Sequence, residues 1–222
     1  ESLYSARRPH TGADSESDQL SRAMNIPTTE ECYRLIQRMN MMEHIVAHSL
    51  LVCRVALLLT DRLQDRGIPL NRKLIRAGAL LHDITKTRSI QTGEMHTETG
   101  AEVLIEEGYP EVADLVRQHV RLDVDSDTGP PTEAEVVNYA DKRVLHDRVA
   151  RMSDRLGYIM ERYGTTPEYR ARIRKTWRRA EKLEEKIFRY LDIGPAQISE
   201  LIPSDPGDGE FAEFQDLIGS KA

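Results

Sequence analysis

Apolar residues recur along this 222-residue chain at intervals of three and four, the period of a helix with one buried face. The first such segment is IPTTEECYRLIQRM, where Thr28 followed three residues later by Glu31 marks a capping-box start. A longer one runs over about residues 42 to 66 and is ended by Gly67 and Pro69. Asn71 caps the next, RKLIRAGALLHD. Beyond a loop at 86 to 95, HTETGAEVLIEEG reads as a helix stopped by Gly108, and PEVADLVRQHV as another with Pro110 in its first turn. Polar DVDSDTGPP separates that pair from TEAEVVNYADKRVLHDRVARM, which opens on a second capping box at Thr132 and Glu135 and reads as helix throughout. A last long helix spans about 167 to 191, followed by PAQISELI. No segment alternates as a strand between hairpin turns does, and no repeat recurs at solenoid spacing. The pattern predicts an all-α fold, a bundle of about seven or eight helices with a C-terminal helical extension.

The chain's ends read differently. Residues 1–27 are polar and rich in Ser, Asp and Arg, a flexible arm in expectation. Residues 203–222 read as a linker, PSDPGDGE, and a short amphipathic tail helix, FAEFQDLI, whose apolar residues pack on the chain's own domain or dock a partner. The organisation expected is thus an arm at 1–27, a main domain at 28–160, a helical extension packed on it at 161–202, and the linker and tail. A start on Glu1 instead of Met leaves room for a fused upstream domain.

Composition changes this picture little. With 39% hydrophobic and 31% charged residues the chain can bury one core, and its most apolar stretch, 45 to 59, is interrupted by His48 and Arg54, so no membrane partner is expected. Cys32 and Cys53 lie inside helical patterns without metal-ligand spacing and read as buried free thiols; with no apolar leader at the N-terminus, the expected location is cytoplasmic. Charge is uneven: residues 141 to 190 carry 15 Lys and Arg against 8 Asp and Glu, a local +7 within a net −6. A solvated helix of alternating charge explains that excess, and without interleaved aromatics no nucleic-acid partner is expected.

The candidate chemistry lies where polar groups interrupt apolar helical faces. His44 and His48 stand four apart on one face, His82 and Asp83 close the third helix, His96 opens the next, His119 ends the one after, and Asp141 lies within the sixth. His146, five residues beyond Asp141, is expected to face elsewhere. Burying any one such imidazole is ordinary. Burying four imidazoles and two carboxylates together is costly unless something positive organises them, and helix bundles build metal centres from inward side chains in this way.

In this order the residues resemble the HD superfamily of metal-dependent phosphohydrolases, in particular its HDIG-like subgroup. HSLLVCRVA is similar to the family's first-histidine helix, GALLHDITK to its HD-x-x-K segment, HTETGAEVL to its H-x-x-x-G-A stretch and NYADK to its final aspartate; the likeness covers about residues 28 to 160. Thr85 stands at the usual glycine, which predicts a locally different turn after the helix. The resemblance implies a binuclear site with His48, His82, Asp83, His96, His119 and Asp141 as ligands and Asp83 bridging. His44 is then beside the site or substrate-facing. Nitrogen-rich ligation suits manganese, iron, cobalt or nickel over magnesium.

The reaction implied is hydrolysis of a phosphoester or phosphoanhydride of a nucleotide or small phosphorylated metabolite by a metal-activated water. Asp83 and Lys86 are its expected catalytic residues, with Lys86, Arg88, Lys142 and Arg143 as candidate phosphate-binding groups. Two other readings use the same residues: a di-iron oxygenase on the HD fold, and a nucleotide-sensing regulatory module. A homo-oligomer is compatible with all three.

Overall fold

The computed structural model describes residues 24–124, 128–202 and 214. The elements in chain order are α1 (Thr29–Arg38), α2 (Glu43–Asp65), α3 (Arg72–Leu81), α4 (Lys86–Thr92), α5 (His96–Glu106), α6 (Pro110–Gln118), α7 (Glu133–Lys142), β1 (Val144–Leu145), β2 (Arg148–Val149), α8 (Met152–Tyr163), α9 (Pro167–Phe188), a 3₁₀ turn (Pro195–Gln197) and α10 (Ile198–Leu201). The fold is all-α with one minimal hairpin. Both capping boxes form: the Thr28 and Thr132 side chains accept the N–H of Glu31 and Glu135, whose carboxylates accept the Thr28 and Thr132 N–H.

α2 is the axis of the bundle. It packs on α3 and α7 and buries residues all around its circumference, among them Val52, Val55, Ala56, Leu59 and Leu63. By length and apolar composition alone this helix could cross a membrane, but 67% of its most apolar window is buried inside the molecule, as in a core helix. Close approach of α3 and α6 depends on Gly78: a Cβ there would lie 2.8 Å from Leu115 Cδ2. Cys32 and Cys53 are free and buried, and burial pushes the Cys32 thiol up to about 12.

Two segments depart from expectation. Residues 86–92, read as loop, form α4, a short helix with few apolar positions that Gly93, at φ 76°, ends in the left-handed conformation. The segment from Thr132, read as continuous helix, breaks after Lys142 into the hairpin β1–β2, with Val144 paired to Val149 and Leu145 to Arg148. Arg143 fixes the break. Its carbonyl accepts the Ala150 N–H at 2.8 Å and its guanidinium Nε donates to the Ala150 carbonyl at 2.9 Å. The two-residue turn puts His146 at φ 58°, which a non-glycine residue adopts only under tertiary constraint.

α8 and α9 follow the hairpin. α9 packs on α7 through Trp177, Ala180, Leu183 and Ile187, spaced along one stripe, and through a buried ion pair in which Lys186 Nζ lies 2.7 and 2.8 Å from the two Glu135 oxygens. Of the tail, Phe214 is buried and meets the Tyr33 ring edge-on at 5.3 Å. The other residues of FAEFQDLI, the linker and most of the N-terminal arm, His10 included, lie outside the described residues.

Candidate metal centre

Helix ends deliver most of the site. His82 and His119 each follow the last turn of a helix, α3 and α6, where unpaired carbonyls remain. His82 Nδ1 donates to the Ala79 carbonyl at 2.8 Å and His119 Nδ1 to the Val116 carbonyl at 2.6 Å. These bonds put a proton on Nδ1 and turn each Nε2 inward, the nitrogen through which such an imidazole would bind a metal. His96 is the first residue of α5. Its position is set by Thr85, whose hydroxyl donates to the His96 carbonyl at 3.0 Å and pairs with the Thr99 hydroxyl at 2.9 Å. Thr85 has φ −104° and ψ 8°, a conformation that needs no glycine, so its hydroxyl does local bonding work that glycine lacks.

Asp83 is the centre of the arrangement. His48, His82 and Asp83 present ligand atoms within 4.8 Å of one another, and so do Asp83, His96 and His119. Asp83 Oδ2 lies 3.5 Å from His82 Nε2, while Oδ1 lies 3.3 Å from His96 Nε2 and 3.6 Å from His119 Nε2. Asp141, near the end of α7, completes the first group's side: its Oδ1 is 3.1 Å from His48 Nε2 and 3.9 Å from His82 Nε2. All six residues expected as ligands therefore converge, on α2, α3, α5, α6 and α7 or their ends.

The electrostatics of these groups call for added positive charge. Burial alone would raise the Asp83 carboxyl, but the His82 and His119 imidazoles hold it well below the usual range. Asp141 is likewise opposed by burial and held well below that range by His48, Arg155 and His82. Burial pushes the His82 imidazolium down, yet the two carboxylates raise it above an ordinary histidine. Burial lowers His96 to about 4, with Asp83 opposing. Among the described residues, buried His82 Nε2 and Asp83 Oδ1 have no hydrogen-bond partner. Unpartnered buried polar atoms are expensive, and a cation held by this cluster would satisfy both. The donor set fits divalent transition metals: four imidazoles and a shared carboxylate, with Asp141 adjacent.

Above these residues opens a cavity of about 550 Å³, a size that suits a small organic ligand. Lys86 lines it, with Nζ 3.3 Å from His96 Nε2 and 4.0 Å from Asp83 Oδ1. His44 is exposed and lines the same space, so His48 and not His44 reaches the ligand cluster. The other proposed phosphate-binding residues are placed elsewhere. Arg88 pairs with Glu94 and does not line the cavity. Arg143 is buried in structural bonds to Ala150, Tyr139 and Pro195. Lys142 touches the cavity wall, but its three donors go to the His119 carbonyl, the Asn138 carbonyl and Asn138 Oδ1 at 3.2, 3.0 and 2.8 Å; burial lowers it to about 8. Arg143 is thus turned away from the cavity, while Lys142 borders it with its ammonium donors already engaged.

The sequence reading missed the opposite wall. His146 does face the cavity: the hairpin carries its ring against Tyr158, 4.9 Å between centroids, and sets its carbonyl 3.4 Å from His48 Nδ1. Arg155, Tyr158 and Ile159 of α8, and Arg172, Ile173 and Trp177 of α9, line the same space. Their helical spacing was visible, but nothing in it tied them to the histidines.

A helix bundle that gathers imidazoles and carboxylates from successive helix ends around one aspartate is built as a metal centre. Residues 45–145, a little under half of the chain, match the family model of the HD domain. It is 29% identical over 153 residues to a tRNA (cytidine(56)-2'-O)-methyltransferase of Picrophilus torridus, covering 62% of this chain and 41% of that protein. It is 30% identical over 110 residues to an uncharacterized protein of Methanocaldococcus jannaschii, covering 47% of this chain and 64% of that one. The chain thus spans less than two thirds of either relative. Among solved structures it resembles a predicted HD superfamily hydrolase from an uncultured Thermotogales bacterium, at TM-score 0.43 and 18% identity over 79% of this chain and 98% of that one.

Proposed function

We propose that the protein is a metal-dependent phosphohydrolase that cleaves a phosphoester or phosphoanhydride in a nucleotide or another small phosphorylated metabolite. The observation that carries this reading is the placement of Asp83 in both ligand groups, directly beneath a cavity that Lys86 borders. His48, His82, Asp83 and Asp141 would hold one ion, and Asp83, His96 and His119 a second. Bound there, divalent ions supply a water of lowered pKa and neutralise charge on phosphoryl oxygens.

The chain's own residues do the rest. The Nδ1 bonds of His82 and His119 fix their rings and turn the other ring nitrogen inward. Lys86, one third exposed, offers an ammonium to a phosphate oxygen at the cavity floor. Ile45, Ile159 and Trp177 narrow the space around the reacting centre and limit water.

Protein loaded with manganese, tested on a panel of nucleotides, sugar phosphates and phosphoanhydrides, is expected to release phosphate from at least one class and to stop on chelation. Silence across the panel from metal-replete protein contradicts the proposal. If the same protein retains two irons and consumes oxygen with a polyol or phosphonate, the oxygenase reading replaces it. Tight nucleotide binding without turnover favours the sensor.

A further inference from the structure

Arg155 is the polar group of the cavity that the metal centre leaves unexplained. It lies on α8, outside the segment matched as the HD domain, and its side chain is 17% exposed. A guanidinium carries five donors. Here one of them, Nη2, reaches Asp141 Oδ1 at 3.5 Å, the limit of a hydrogen bond, and the buried Nε has no partner among the described residues. A residue kept only to orient Asp141 would hold it by a short or bidentate bond, as Arg72 holds Asp61 at 2.6 and 3.0 Å. Arg155 instead borders the cavity with donors to spare.

Its surroundings fix the chemistry it suits. Lys86 stands beside Asp83 and His96, and Arg155 beside Asp141, so each of the two carboxylates lining the cavity has a cation next to it. One helical turn beyond Arg155, Tyr158 and Ile159 turn the same face of α8 to the cavity, and Ile173 and Trp177 of α9 continue that apolar wall. Polar donors at the floor and a flat apolar wall above describe a site for an anion with an organic group attached.

We propose that Arg155 is a substrate-binding residue that takes the phosphate of an organic phosphate monoester, whose organic part rests on the Tyr158 and Ile159 wall. This deepens the phosphohydrolase reading and rests on it for turnover, but its binding step can be measured alone. The pair α8–α9 is then part of the active site, and it is the part that selects substrate.

The test compares wild-type protein with Arg155→Met and Arg155→Lys, all loaded with manganese, by calorimetric titration with inorganic phosphate. Loss of a charge-assisted contact weakens affinity roughly ten- to hundredfold. We expect that loss in the Met variant, partial recovery in the Lys variant, and equal metal content and thermal midpoint in all three. On any ester the protein hydrolyses, the Met variant should raise KM by a similar factor. Tyr158→Ala should raise KM for phenyl phosphate more than for glycerol phosphate. Unchanged phosphate affinity in Arg155→Met, a loss of metal that accounts for weaker binding, or wild-type protein that binds no phosphate at millimolar concentration overturns the assignment. Phosphate binding that depends on Arg155 in a protein with no hydrolytic activity keeps the assignment and overturns the proposed reaction.

Discussion

Replacing Lys186 with Met removes half of the ion pair that fixes α9 to α7. Both Glu135 oxygens lie within 2.8 Å of the Lys186 ammonium, one also accepts the Thr132 N–H at 2.9 Å, and both side chains are buried, 3% and 6% exposed. The variant keeps the length of the side chain and leaves the carboxylate with that N–H alone. Breaking a buried pair from one side costs about 3–5 kcal/mol, against about 0–1 kcal/mol for an exposed pair such as Arg72 with Asp61. In a chain of this size each kcal/mol moves Tm by roughly 2–4 °C, so a fall of about 6–20 °C is expected. Adding Glu135→Gln, which keeps the capping bond and removes the stranded charge, should recover about 2 kcal/mol of the loss. Urea unfolding of metal-free protein followed by circular dichroism reads both. A single variant that loses less than about 1 kcal/mol, or a double variant equal to the sum of the singles, refutes the reasoning.

Other consequences are as direct. His96, lowered to about 4 from 6.5, binds its proton in the unfolded chain at higher pH than in the folded one, so its contribution is present above pH 6.5 and lost as pH falls toward 4. Metal-free wild type should lose about 2 kcal/mol more than His96→Gln between pH 7 and pH 5, measured by urea unfolding; parallel curves contradict this. Thr85→Gly removes the hydroxyl that holds the His96 carbonyl and should cost about 1–3 kcal/mol and weaken metal binding; a neutral result would mean the family's usual glycine serves equally well. Lys142→Met strands the His119 carbonyl and both Asn138 acceptors and should cost at least about 2 kcal/mol; unchanged stability with a raised KM would restore Lys142 as a phosphate-binding residue.

The six inward candidate residues were legible because each interrupts an apolar helical face, and helical periodicity alone says which way such a residue points. His82 and His119 illustrate the limit of that signal. Their helix-end bonds to Ala79 and Val116, which fix the tautomer, depend on where the last turn stops. Arg143 and Lys142 show the same limit: their charge was visible in the sequence, but the bonds that engage them form only in the folded chain. The hairpin at 144–149 is too short to show alternation, so His146 was sent the wrong way. Arg155 carried no sequence signal: an arginine in a charged helix becomes part of a site only because the fold brings its guanidinium to Asp141 and the cavity.

The claim on which everything else depends is that Asp83 serves two metal positions. Elemental analysis of protein purified without oxygen or chelator, for wild type, Asp83→Ala, His48→Ala and His119→Ala, measures it directly. The account predicts two transition-metal ions per chain in wild type, about one in either histidine variant, and none held firmly in Asp83→Ala. One ion in wild type that persists when Asp83 is removed would contradict it.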